Sequence, residues 1–216
     1  MSHSASTSTT DEKSRGETAT LHALTIMEPY ATCIINGPKR LENRTYPLDI
    51  QKLISESKFG IQDDKKDGSG VWIAIHASSS QRMLRPNDPT CSIIRFQCWS
   101  ELPSLDLMKR NCGKIIGVAK FFACLKSEEV SDDNVWKGGD YEGGGGNRGR
   151  KKQQYCWMIE EVKALETPIE CKGNVGIWYL DENIANQIWK EIKKSFYGFG
   201  MRNLGIKQRR VKYIDL

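Results

Sequence analysis

The sequence predicts an α+β protein: a small, mostly β barrel with helices closing its ends. Three observations lead there. Short apolar, β-branched segments recur along the chain, separated by polar or glycine-marked turns, and Val71-Trp-Ile-Ala-Ile-His-Ala77 is the strongest of them. Clear helical periodicity is confined to Ile184, Ile188 and Ile192, repeating every four residues, with Trp189 extending the stripe. With 216 residues, 38% of them hydrophobic and 27% charged, the chain suits one domain with long polar loops.

Leu21 to Met27 alternates and is β-rich enough for a first strand. Glu28-Pro29 then opens a short helix, with the proline at a favoured first-turn position and Gly37 ending it; Tyr30, Ile34 and Ile35 are its inward residues. Leu41 to Tyr46 reads as extended. By the strand period of two, Glu42 and Arg44 then share a face. The polar stretch 51–70 reads as an insertion loop, and Val71–Ala77 as a buried strand carrying His76, the one histidine expected in the core. Asn87 to Leu107 reads as helical, with an imperfect apolar face of Ile93, Ile94, Phe96, Cys98 and Trp99. Lys114 to Leu125 is a strand long enough to bend at Gly117. The glycine-rich segment 131–154 cannot form a regular element. Tyr155 to Lys163 and Thr167 to Cys171 read as further strands, followed by a glycine turn into the apolar segment ending at Leu180. Asp181 is the N-cap of an amphipathic helix to Ser195. The domain therefore spans 21–197, between a polar Ser/Thr-rich tail at 1–20, expected to be disordered, and a basic extension at 198–216.

No apolar run approaches the roughly 18 residues that span a bilayer, so no membrane partner is expected. The N-terminus has no apolar core of a secretory signal. The seven cysteines form no Cys-x-x-Cys pair, which argues against a structural zinc site and a disulfide framework. Buried thiols in a reducing compartment, the cytoplasm or nucleus, follow as the expectation, with no metal and no cofactor. Of the net charge of +5, the stretch from Trp189 onward holds eight Lys/Arg against two Asp/Glu, a net of +6, leaving −1 for everything before it. A basic end on a neutral body suits a phosphate-rich partner, or is a solvated tail.

The residues that point to chemistry lie in Gly37-Pro-Lys-Arg-Leu-Glu-Asn-Arg44. Gly37, Lys39, Glu42 and Arg44 crowd two cations and a carboxylate beside a turn. Such charges are costly to bury unpaired and natural at the rim of a binding site. Lys39 and Arg44 suit an anionic or polar nucleotide, Arg offering a planar fork and Lys a point charge. Glu42 can position Arg44 or accept from a base amino group. The plain alternative is an ion pair that orders the turn.

Leu24-x-Ile-x-x-Pro-Tyr-Ala31 followed by this block resembles the opening of the ASCH domain (activating signal cointegrator homology). Trp72 to Ala77, Ile115-Ile-Gly-Val118, Tyr155 to Val162, Pro168-Ile-x-x-Lys-Gly173 and Ile177-Trp178 follow in the family's order, so the pattern covers about Leu21 to Tyr197. The resemblance implies a PUA-like fold, a small, mostly antiparallel β-barrel with flanking helices. It implies binding of RNA or other nucleic acid in a cleft lined by Lys39, Glu42 and Arg44, as in a transcription coregulator or RNA-processing factor. Some relatives of similar fold are enzymes: an amidohydrolase of acetylated cytidine, and a branch associated with RNA cleavage. In that amidohydrolase the lysine is followed three residues later by a nucleophilic threonine. Here Glu42 stands there, and a carboxylate does not replace a hydroxyl nucleophile in the same mechanism. Lys39 and Glu42 remain the candidates for any catalysis, Glu42 activating water and Lys39 stabilising an oxyanion. A protein-interaction adaptor is the third reading.

His76 is a candidate acid/base or stacking group, or a packed strand-end histidine. Trp157, whose neighbours Cys156 and Met158 point the other way, is a candidate platform for an extruded base, whereas Tyr30 suits the core. The basic glycine loop from Gly143 to Lys152 lacks the P-loop pattern; it reads as a wrap for a phosphate backbone or as a tolerated insertion.

Overall fold

The structure, a computed structural model, describes residues 20–57, 70–138 and 153–198. The N-terminal tail, most of both insertions and the C-terminal extension lie outside the described residues. Among the described residues six strands form one sheet: β1 (His22–Ile26), β2 (Leu41–Arg44), β3 (Val71–Ala77), β4 (Lys114–Lys126), β5 (Tyr155–Glu170) and β6 (Ile177–Tyr179). Their order is β2-β5-β4-β3-β1-β6. Only β1 and β3 run parallel; every other pair is antiparallel. The α+β class stands as read. The sheet is a curled half-barrel, with β2 and β6 as its two edges, and five α-helices dress it.

Glycine marks where the sheet bends. The β4–β5 register shifts between Ile115 and Gly117. A Cβ at Gly117 would stand 2.5 Å from Lys163 O and 2.9 Å from the Ile35 side chain, so the crowded bend admits no side chain there. β4 and β5 are the longest strands, and β5 merges the two strands expected on either side of Leu165.

Both faces of β3 are covered, which is why its alternation is hidden in a continuous apolar run: every residue of VWIAIHA is buried. One face packs Ile73, Ile75, Phe121, Trp157 and Ile159 against α1 (Tyr30–Ile35) and α2 (Ile50–Glu56). The other packs Trp72, Ala74, Val118 and Leu165 against Ala185, Ile188 and Ile192 of α5 (Glu182–Gly198). Asp181 caps α5 by accepting from Asn183 N at 2.9 Å, as its position in the sequence indicates. A third cluster joins Cys33 of α1 to Cys91 and Ile94 of α3 (Thr90–Gln97) and Met108 of α4 (Leu105–Asn111).

Three expectations are corrected. The stretch 51–70 begins in helix: Asp49 accepts from Lys52 N at 3.0 Å and starts α2, which buries Leu53. The helical stretch 87–107 is two helices. The first ends at Gln97, and Ser104 caps the second by accepting from Leu107 N. Within α3, Ile94 turns inward while Phe96 is 90% exposed, so the apolar face expected there is split. Finally, His76 is not the only core histidine. His22 is equally buried, with Tyr179 stacked at 4.5 Å and the Glu56 carboxylate 3.5 Å away. All seven cysteines are free. No helix among the described residues is long and apolar enough to cross a membrane.

Candidate functional site

The charged block sits where the curled sheet brings its edges together. After α1, Lys39 turns inward and is only 2% exposed. Its Nζ donates to Leu41 O and to Glu42 Oε2, the latter at 3.0 Å, and lies 5.9 Å from the centre of the Tyr30 ring. Glu42 and Arg44 do share a face of β2, and Arg44 Nη2 meets Glu42 Oε1 at 3.3 Å. Glu42 is thus held at both oxygens, each by a different cation. These two contacts fix the orientation of the carboxylate.

Arg44 reaches further. Its Nη2 also donates to Thr25 O of β1 at 3.1 Å. In the sheet β2 is one edge and β1 lies next to the other, so this contact spans the open side of the half-barrel. The guanidinium lies 5.8 Å from the Trp157 ring centre, and its buried Nε has no hydrogen-bond partner among the described residues. Arg40, beside the block, turns back to the end of α1, donating to the helix carbonyl Ile34 O and to Gly37 O and Lys39 O of the turn that follows.

The remaining candidates fall differently. Gly37 is a packing position: a Cβ would lie 2.6 Å from the Trp99 ring and 2.8 Å from Cys33 O. Trp157 pairs with Glu42 across β2 and β5 and joins the cluster, yet it has no exposed surface. Arg44, Tyr46 edge-on at 5.3 Å and Phe121 at 6.2 Å surround its ring, which leaves no face for a base. His76 pairs in register with Thr25, one strand from the Arg44 contact, but its ring turns into the corner of Cys171 and Trp178. Because its Nε2 partner at 3.0 Å is the Cys171 carbonyl, Nε2 carries the hydrogen. Burial lowers the His76 pKa, against an upward pull from the backbone of Cys171 and Gly113. A Cβ at Gly173 would strike this imidazole at 2.3 Å, so the loop from Cys171 to Gly176 lies directly on it. His76 holds that loop in place and does not meet the charged block.

Two residues were not singled out by the sequence. Tyr46, 39% exposed, follows Arg44 and stands beside Trp157, whose Nε1 donates to Tyr46 O at 3.2 Å. Glu28 is fully buried at the start of α1 and accepts from Thr32 N at 3.1 Å and Thr32 Oγ1 at 2.8 Å. Burial pushes its carboxyl up to about 7, with the Thr32 and Asn111 hydrogen bonds pulling the other way. The Glu28 and Thr32 spacing of four was the available signal; Tyr46 gave none beyond its place after the block.

No protein-family model matches the chain, and no curated protein matches it. Among solved structures it is similar to ASCH from Zymomonas mobilis in three forms. One tyrosine-to-phenylalanine mutant shares 12% identity at a TM-score of 0.43, over 78% of this chain and 96% of that one. A serine-to-alanine mutant shares 12% at 0.42, over 78% and 94%. The ASCH structure without either mutation shares 13% at 0.39, over 77% and 91%. These proteins carry the family name whose motif order the sequence resembles.

Proposed function

We propose that this chain is an ASCH-like, PUA-type module that binds nucleic acid, RNA first, at the Arg44 lip of the half-barrel. The observation that carries the reading is the state of Arg44. It is the part of the charged block that reaches solvent, with a side chain 22% exposed. It is oriented by Glu42, which Lys39 fixes from the other side. A guanidinium pre-positioned by a buried support loses little freedom on gripping a phosphate or a base edge. Lys39 acts as the strut of this arrangement and Arg44 as its contact. The basic end of the chain adds phosphate attraction that any sequence of nucleic acid would feel. The work of such a module lies in the cytoplasm or nucleus, alongside RNA-processing or transcription partners.

Binding is favoured over hydrolysis because Glu42, the candidate base, is engaged at both oxygens. The test is titration of labelled single-stranded RNA at several salt concentrations, comparing the wild type with Arg44→Gln. The expected result is weaker binding and a salt slope shallower by about 1. Equal affinity and equal slope for the two proteins would overturn the reading. Lys39→Ala is unsuited to this test, since a buried strut is lost with it.

A further inference from the structure

Tyr46 holds an unusual position. It leaves β2 just after Arg44, and its carbonyl is fixed by Trp157 Nε1. Its ring meets Trp157 at an interplanar angle of 80°, a contact that covers at most one face of the tyrosine. At its far end, the hydroxyl approaches the loop before β6: a Cβ at Gly176 would lie 3.9 Å from it. Gly176 has φ of +72°, so the chain there turns in a conformation that keeps a side chain out of that space. The result is an exposed ring fixed at its backbone and along one side, with the Arg44 guanidinium against the same Trp157.

Trp157, the aromatic the sequence suggested for stacking, is enclosed. The other exposed aromatic rings lie elsewhere: Phe96 on α3, Phe122 on β4, and Tyr179 on β6 with its hydroxyl bound to Glu56 at 3.0 Å. Tyr46 is the exposed ring that meets Trp157, the same ring that the Arg44 guanidinium lies against at 5.8 Å. An aromatic face beside a cation is the pairing that single-stranded nucleic acid requires, with the base on the ring and the phosphate or base edge on the charge. Inside a duplex both faces of a base are covered by its stacked neighbours, so a duplex away from its ends cannot use the ring.

We infer that Tyr46 is the base-stacking residue of the lip, and that the ligand is single-stranded nucleic acid presenting an unpaired base next to Arg44. This rests on the binding reading above. The test compares a short fluorescent single-stranded RNA carrying 2-aminopurine, the same strand as DNA, and the annealed RNA duplex, each titrated into wild type, Tyr46→Phe, Tyr46→Leu and Arg44→Gln. The expected result is that wild type and Tyr46→Phe bind the single strands alike and quench 2-aminopurine. Tyr46→Leu, which keeps apolar bulk and so keeps the fold, loses about tenfold or more and does not quench. Duplex binding is equal in all Tyr46 variants. The RNA and DNA arms differ only if the 2′-hydroxyl is also read. If Tyr46→Leu binds and quenches like wild type while Arg44→Gln weakens, the stacking inference is overturned and the binding reading stands. If wild type binds no single strand at low salt, both fall.

Discussion

Two carboxylates are taken out of water on either side of α1, and the fold treats them differently. Glu42 is clamped between Lys39 and Arg44. Glu28, completely buried, is given only the hydroxyl and amide of Thr32, supported by Asn111, and no cation pairs with it among the described residues. A carboxylate held by two cations acts as a fixed part. A buried carboxyl with neutral donors only is pushed toward its protonated form, and its charge then depends on pH. One acid gives the lip its geometry. The other makes the seam between α1 and α4 responsive to pH.

The largest effect should come from breaking the clamp. Lys39→Met leaves Glu42 buried with one partner instead of two and leaves Leu41 O without its donor. Loss of about 3–5 kcal/mol in urea unfolding is expected, since removing one member of a buried ion pair strands the other. A loss under about 1 kcal/mol would mean that Lys39 is a solvated cation and that the contrast with Glu28 is not real.

Next comes the pH dependence of Glu28. Its folded pKa, about 7, stands above the ordinary 4.5 of the unfolded chain. Its contribution to stability is therefore complete below pH 4.5 and is lost as pH rises through about 7. Buried His22 and His76 have the opposite sign. Burial lowers both pKa values, so their contributions are present above the ordinary 6.5 and are lost as pH falls. Glu28→Gln isolates the carboxyl from these two. The stability difference, Glu28→Gln minus wild type, should grow by about 3 kcal/mol between pH 4.5 and pH 8.5. A flat difference curve would show that Glu28 stays ionised throughout, like a paired acid.

The clamp was half legible in the sequence, and Glu28 was not. The strand period placed Glu42 and Arg44 on one face, because alternation is a local property of extended chain. Lys39 lies in the turn before β2, where no period governs direction, and its inward course depends on Leu41 O and Glu42 being within reach. The alternation of its neighbours places Trp157 on its face of β5 but says nothing of its enclosure by Arg44, Tyr46 and Phe121. That enclosure comes from sheet curl, and a linear pattern carries no curl. The sequence offers Glu28 only as a helix opener; its burial depends on α4, seventy-odd residues later, packing over it. The strands and α5 were readable because each has its own period, whereas the contacts across the half-barrel were not.

A smaller effect is expected at the outer member of the clamp. Arg44→Gln removes the contacts to Glu42 Oε1 and Thr25 O but leaves Lys39 on Glu42. With the side chain partly in water, a loss of about 1–2 kcal/mol should appear in thermal or urea unfolding. A loss as large as that of Lys39→Met would make Arg44 an equal strut and remove its distinction as the contact residue.

The smallest expected effect tests why Glu28 titrates near neutrality instead of far above it. The Thr32 hydroxyl donates to Glu28 Oε1 at 2.8 Å and helps to keep its pKa from rising further. Thr32→Val keeps the shape and the Thr32 N contact but removes that donor. At pH 5, where the carboxyl is protonated in the folded chain, the cost should be about 1 kcal/mol, the value of one ordinary hydrogen bond. Above pH 8 the cost should be larger, because the lost hydroxyl favoured the charged form. The Glu28 side-chain carboxyl resonance followed by NMR should show its midpoint moving above 7. A midpoint that stays put would mean that the amide of Thr32 alone supports the charge, and that the hydroxyl serves Asn111 instead, whose Nδ2 lies 3.5 Å from it.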